Sequence, residues 1–189
     1  YPGGALGNTS SCGKCLMELY EWGWIKKIPR IAVINADGAN TLDVLYNGKF
    51  ENTELRWNKG NPDTKLIEDY YVKMNKDHIR PKTKATAIQI GKPVNLLKGI
   101  RALEFTDGVV TTVTDKEMLD GMSIVGLNGF DCEMASGAVP AGIKKLLNDN
   151  IMKKDDKIIG ILTGRQKEPL LPINYHNDPT NKFAKPPKR

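Results

Sequence analysis

Histidine is nearly absent, cysteine is scarce, and aromatic residues make up only 7% of the chain. Each shortage closes off a class of function. The two histidines, His78 and His176, are far apart in a chain of 189 residues. Neither sits in a cluster of His, Cys and carboxylate spaced for a catalytic metal, so no metal site is expected. His78 lies in a polar stretch and reads as a surface residue. The three cysteines are Cys12, Cys15 and Cys132. An odd, low count suits a reducing compartment and excludes a disulfide-built scaffold. Cys12-Gly13-Lys14-Cys15 has the Cys-x-x-Cys spacing of redox and metal sites. No second pair or nearby histidine completes it, and on a helix a spacing of three puts both thiols on one face, where packing alone accounts for them. No apolar run approaches the roughly 20 residues of a membrane helix, and no signal peptide is visible. No basic stretch is interleaved with aromatics as in a nucleic-acid platform. The net charge of +6 therefore reads as a solvated basic surface. The expected setting is intracellular: cytoplasmic, with a mitochondrial or plastid matrix as the alternative.

What is present is an ordinary globular composition, 40% hydrophobic and 26% charged, enough for one large domain or one lobe with an appendage. The first nine residues organise the rest. Tyr1-Pro2-Gly3-Gly4-Ala5-Leu6-Gly7-Asn8-Thr9 is glycine-rich and runs through Ser10-Ser11 into a helical pattern that starts near Gly13. Such a turn lets backbone approach a ligand closely. The first amides of a helix lack internal partners and favour an anion. Thr9, Ser10 or Ser11 is placed to cap the helix. A phosphate loop and a plain capped turn both fit, and the spacing matches neither a Walker loop nor a dinucleotide fingerprint. The start reads as interior to a longer sequence, because a strand normally feeds such a loop.

Further along, Arg30–Ala36 is a short apolar run suited to a strand buried on both faces. Thr41–Tyr46 starts a helix, 47–63 is a polar loop or insertion with Trp57 as a packing anchor, and Asp63–Met74 caps and continues as a helix. Val94–Phe105 is helical. Val109–Val113 is a strand. Thr114 and Glu117 form a capping box for the next helix. Another helix follows Glu133–Ala138, with Pro140 tolerated in its first turn. Ile158–Gly164 reads as a further buried strand, and 177–189 as a basic extended tail. Alternating strands and helices predict an α/β fold, a layered parallel sheet flanked by helices. Ligands then sit beyond the carboxyl ends of the strands, where both the glycine loop and Thr163-Gly164 fall.

Several stretches, in order, resemble one family. Pro2-Gly3-Gly4-Ala5-Leu6-Gly7-Asn8-Thr9-Ser10 is similar to the phosphate loop of threonine synthases, pyridoxal-phosphate enzymes of the tryptophan-synthase-β (fold type II) group. Ala85-Thr86-Ala87-Ile88-Gln89-Ile90-Gly91, Glu133-Met134-Ala135-Ser136 and Leu162-Thr163-Gly164 resemble further segments of that family, as do Ile28–Ala32 and Asn174-Tyr175-His176. The resemblance implies that residues 1–176 are the C-terminal part of such a domain, a partial fold lacking its N-terminal half. It implies that pyridoxal 5′-phosphate is held by the amides of Gly4, Ala5, Leu6, Gly7 and Asn8, with the Thr9 hydroxyl a candidate, and that Thr163 meets the pyridine nitrogen. A neutral hydroxyl there leaves the ring less protonated and restrains the electron sink. The family reaction turns O-phosphohomoserine and water into threonine and phosphate.

The lysine that forms the Schiff base lies upstream in the family, so no residue here is assigned as catalytic. Activity then requires the N-terminal half, in cis or in trans. Ala5, Met134 and Arg165–Pro169 depart from the family pattern, and leave the cofactor either retained or lost. The alternative is a catalytically inactive structural subunit of a larger protein assembly.

Overall fold

The computed structural model describes residues 1–57 and 62–165. The expected tail 177–189, the Asn174-Tyr175-His176 stretch, residues 166–169 of the Arg165–Pro169 segment and residues 58–61 of the polar loop lie outside the described residues.

The centre of the fold is β1 (Ala32–Ala36), four of whose five residues are buried. Its parallel partner is β2 (Val109–Val113), in register from Ala32 opposite Val109 to Ala36 opposite Val113. On its other side runs the start of the chain. Ile34 N donates to Tyr1 O at 2.9 Å and Gly3 N to Ile34 O at 2.7 Å, which makes a parallel bridge at Pro2. Side chains alternate across this narrow sheet. Val33 and Val110 enter one core with α1 (Gly7–Glu21), α2 (Thr41–Tyr46), α3 (Thr64–Lys76) and α4 (Leu96–Phe105). Ile34, Ala36 and Val113 enter the other with α5 (Asp115–Leu127) and α6 (Met134–Asn148). Each fully buried Leu or Ile, such as Leu42, Ile100 or Leu146, contributes about 1.5–3 kcal/mol. The result is the expected α/β arrangement with helices over both faces of a small parallel sheet.

Helix pairs close where glycine permits. A Cβ on Gly137 of α6 would lie 2.8 Å from Met122 Cγ of α5, and one on Gly121 would lie 3.0 Å from Pro140 Cγ. Two capping expectations hold: Asp63 accepts from Leu66 N at 3.0 Å, and Thr114 and Glu117 make the capping box. The loop after α2 is no free excursion, since Phe50 and Leu55 are buried and Leu55 N bonds Leu45 O at 2.8 Å. Trp57 packs against the core as expected, and His78 is exposed.

Four local expectations are corrected. Helix α1 begins at Gly7, six residues before the apolar stripe suggests. Its N-cap is therefore Leu6, with φ 64° and no side-chain cap bond, and not Thr9, Ser10 or Ser11. Pro140 lies inside α6 rather than in its first turn, so one i→i−4 bond is missing there. Residues 158–164 form no strand, and Ile159 is 85% exposed. A β-branched run states that burial would be favourable, but a ladder needs a neighbour, and the described residues supply none.

Candidate functional site

The amides from Gly4 to Thr9 are the first element of the site. Among the described residues no hydrogen bond ends on them; the first bond of α1 is Ser10 N to Leu6 O at 3.0 Å. The groups of Gly7, Asn8 and Thr9 are thus the open donors of a helix N-terminus, where the helix dipole adds partial positive charge. Leu6 adopts the left-handed region, which costs a bulky residue about 1–2 kcal/mol. Its buried side chain offsets that cost by packing on α4, where a Cβ at Gly99 would meet Leu6 Cβ at 3.2 Å. The turn keeps its shape through two asparagines. Asn35 of β1 is 2% exposed; its Nδ2 donates to Gly3 O at 2.6 Å and its Oδ1 accepts from Asp43 N at 3.1 Å. Asn95 N donates to Ala5 O at 3.1 Å. Gly4 fits closely: a Cβ there would lie 3.1 Å from Ala87 O and from Ile88 Cα.

Thr9 is 1% exposed, and its Oγ1 has no hydrogen-bond partner. A buried hydroxyl left unpaired costs about 1–3 kcal/mol. Thr9 is among the residues lining a cavity of about 320 Å³, at the low end of ligand-sized pockets.

The opposite wall comes from the start of α6 and the irregular segment after it. Ser136 is fully buried, and its Oγ accepts from Thr163 N at 2.9 Å and Gly164 N at 3.2 Å. Glu133 N donates to Gly164 O at 2.9 Å. These bonds fix Thr163 at the cavity, with its Oγ1 3.2 Å from Ser136 Oγ and donating to Glu133 Oε1 at 3.4 Å. The lining is Pro2, Gly4, Ala5, Leu6, Gly7, Asn8, Thr9, Ala87, Ile88, Glu133, Ala135 and Thr163. All seven residues expected at the site, from Gly4 to Thr9 and Thr163, therefore line one cavity. They come from opposite ends of the chain.

Asn35, Asn95, Glu133 and Ser136 carry no assigned role in the sequence reading. The available signals were Asn35, a polar side chain within the apolar run Ile31–Ala36, and the family-like stretch that holds Glu133 and Ser136. The donor set suits a phosphate-bearing ligand: open amides and a partnerless hydroxyl, beside a glycine where an added Cβ would crowd Ala87 and Ile88. Among the described residues no lysine, arginine or histidine is in the lining, so the donors they offer an anion are backbone dipoles. Cys12 and Cys15 stand elsewhere on α1, half-buried and exposed. Among the described residues no three His, Cys, Asp or Glu side chains are grouped to hold a metal. No described helix is long and apolar enough to cross a membrane.

No family model matches the chain. It is similar to the threonine synthase of Methanocaldococcus jannaschii, with 32% identity over 183 residues that cover 94% of this chain and 39% of that protein. With threonine synthase of Methanosarcina acetivorans it shares 37% identity over 102 residues, 53% of this chain and 25% of the relative. With threonine synthase 2, chloroplastic, of Arabidopsis thaliana it shares 27% over 185 residues, 97% of this chain and 32% of the relative. The chain thus spans 39% or less of the length of these curated relatives. Proteins named threonine synthase account for nearly all of this sequence, and that similarity supports its place in the threonine synthase family.

Proposed function

We propose that this chain is the C-terminal part of a fold type II, threonine-synthase-like lyase, and that its cavity holds pyridoxal 5′-phosphate. The observation that carries the reading is that residues 4–9, whose amides make no internal hydrogen bond, and Thr163 line one cavity. The amides of Gly4, Ala5, Leu6, Gly7, Asn8 and Thr9 bind the phosphate, with the Thr9 hydroxyl as a further donor. Thr163, pinned by Ser136, orients the pyridine ring. Bound there, the cofactor supplies the electron sink for converting O-phosphohomoserine and water to threonine and phosphate. Among the described residues no lysine lines the cavity, and the reactive lysine is assigned to the portion of the enzyme that precedes this chain in the family, acting in cis or in trans. The apolar segment around Ile158, Ile159 and Leu162, exposed and without a strand neighbour among the described residues, supports a partner on that side.

The same exposed segment favours a second reading, a catalytically inactive subunit of a larger assembly, in which the partner surface is used and the cavity is not. Titration calorimetry with 4′-deoxypyridoxine 5′-phosphate separates the two. This probe keeps the ring and phosphate but has no aldehyde to react with surface lysines. Saturable binding that disappears with the dephosphorylated probe supports the cofactor reading. Absence of binding in a folded chain, as judged by circular dichroism, overturns it.

A further inference from the structure

Cys12 and Cys15 share one face of α1, and neither has a role in the cavity. Two buried thiols would be explained by packing, since free cysteine is among the most buried residue types. The structure separates the pair. Cys12 is half-buried and packs, with Tyr1 and Leu16, against the first core, whereas Cys15 is exposed among the described residues. Packing among the described residues therefore gives no reason for a thiol at position 15.

Both thiols stand on the helix whose first turn carries the open amides of Gly7, Asn8 and Thr9. Gly13, between them, is buried and seats α1 directly on α4: an added Cβ would lie 2.9 Å from Ala102 Cα. Cys12 also neighbours the start of the glycine turn. Burial, and after it the Cys12 thiol, push the Tyr1 hydroxyl up to about 12, and Tyr1 O accepts from Ile34 N at 2.9 Å. The middle of α1 thus touches the residue that opens the turn and belongs to the helix that closes it.

We propose that Cys12 and Cys15 are a redox pair, and that closing their disulfide loosens the phosphate cradle. The effect on the cradle rests on the cofactor reading given above; the pairing of the thiols does not. The exposed Cys15, as thiolate, attacks a small-molecule disulfide, which leaves a mixed disulfide and releases one thiol. Cys12 then attacks Cys15 Sγ, the S–S bond of the protein forms, and the second thiol leaves. Two electrons pass to the small disulfide, and the two protons of the cysteines end on the two released thiols. Residues three apart on a helix have Cβ atoms about 5–6 Å apart, and a disulfide needs about 3.5–4.5 Å. Closure therefore draws the second and third turns of α1 together by about 1–2 Å, across the seat of Gly13 on α4. Such strain makes the bond easy to reduce, which suits a reversible switch rather than a structural link.

The test equilibrates the whole chain with reduced and oxidised glutathione, quenches it with acid, alkylates the remaining thiols and digests it with trypsin. Cleavage after Lys14 parts the two cysteines, so their disulfide holds two peptides together. The linked pair is expected from the unaltered chain, whereas Cys12→Ser is expected to stop with glutathione on Cys15. Binding of 4′-deoxypyridoxine 5′-phosphate is then measured for both states. Loss of one charge-assisted amide bond corresponds to an affinity about ten- to a hundredfold lower in the oxidised chain. By reciprocity, saturating probe lowers the equilibrium constant for oxidation by the same factor. The Cys12→Ser/Cys15→Ser double variant is expected to bind equally in both buffers. Glutathione that stays on Cys15 of the unaltered chain, with no linked peptides, overturns the pairing. Linked peptides with unchanged affinity overturn the coupling and leave the cofactor reading standing. A reduced chain that does not bind the probe overturns the coupling and the cofactor reading together.

Discussion

Replacing Thr9 by valine should change the free and the ligand-bound chain in opposite directions. The Thr9 side chain is 1% exposed and its Oγ1 has no partner. Valine puts a methyl group in nearly the same volume and removes an unpaired polar atom that costs about 1–3 kcal/mol. Taking the low end, because some repacking is needed, the free variant gains about 1 kcal/mol. For a domain of this size that raises the melting temperature by about 2–4 °C. With a phosphate ester in the cradle the sign reverses. A hydrogen bond to a charged group contributes about 1.5–3 kcal/mol, so affinity falls about ten- to a hundredfold. Ligand at 100 times the dissociation constant of the unaltered chain stabilises that chain by about 2.7 kcal/mol; the same concentration stabilises the variant by only about 0.4–1.4 kcal/mol. Urea unfolding with and without 4′-deoxypyridoxine 5′-phosphate measures both quantities. A Thr9→Val chain that is less stable when free and equally stabilised by ligand would refute the assignment of Thr9 to the anion.

Four further outcomes follow from the packing. Asn35→Ala leaves Gly3 O and Asp43 N without their partners; it should cost about 2–4 kcal/mol in urea unfolding and weaken phosphate-dependent binding, since the glycine turn loses its anchor. Gly137→Ala brings a Cβ within 2.8 Å of Met122 Cγ and 3.1 Å of Met122 N, and should destabilise by about 1–3 kcal/mol, read as a lower melting temperature. Thr114→Ala removes the capping-box hydroxyl of α5 and should cost about 1 kcal/mol in the same assay. Burial pushes the Cys132 thiol up to about 11 from 9.0, with the Asp131 and Glu133 charges adding to the effect. The unfolded chain then loses this proton before the folded chain does, so stability from this site is intact below about pH 9 and falls by about 1–2 kcal/mol as pH rises towards 11. Cys132→Ala should remove that step from the stability profile.

The parts of the fold that local chemistry decides were legible. The Thr114–Glu117 box and the Asp63 cap depend on neighbours a few residues away, and each appears where its residues stand; the strand Val109–Val113 was legible from its β-branched run, and its ladder is completed by the distant Ala32–Ala36. The start of α1 was not legible. Gly7, Asn8 and Thr9 have poor helix propensity, and what holds them in the first turn is Leu6 seated over Gly99 of α4, a contact between residues far apart in sequence. Residues 158–164 failed in the other direction: their composition asks for a strand, but a composition cannot supply the strand beside it. For the site, the glycine loop and Thr163 could be named from sequence because each lies in a recognisable stretch. Asn35, Asn95, Ser136 and Glu133 act by holding those residues in place, through bonds between distant segments. Asn35 left a mark as a polar residue in an apolar strand, and Glu133 and Ser136 stood in a family-like stretch without a role; Asn95 left none.

The central claim is that two ends of the chain grip one ligand, and amide NMR tests it most directly. On adding 4′-deoxypyridoxine 5′-phosphate to ¹⁵N-labelled chain, the amide signals of Gly4, Ala5, Leu6, Gly7, Asn8, Thr9 and Thr163 should move together, along curves giving a single dissociation constant. Signals that stay still in either group, or shifts gathered instead around the separate cavity of Tyr46, Arg56 and Asp107, would contradict it.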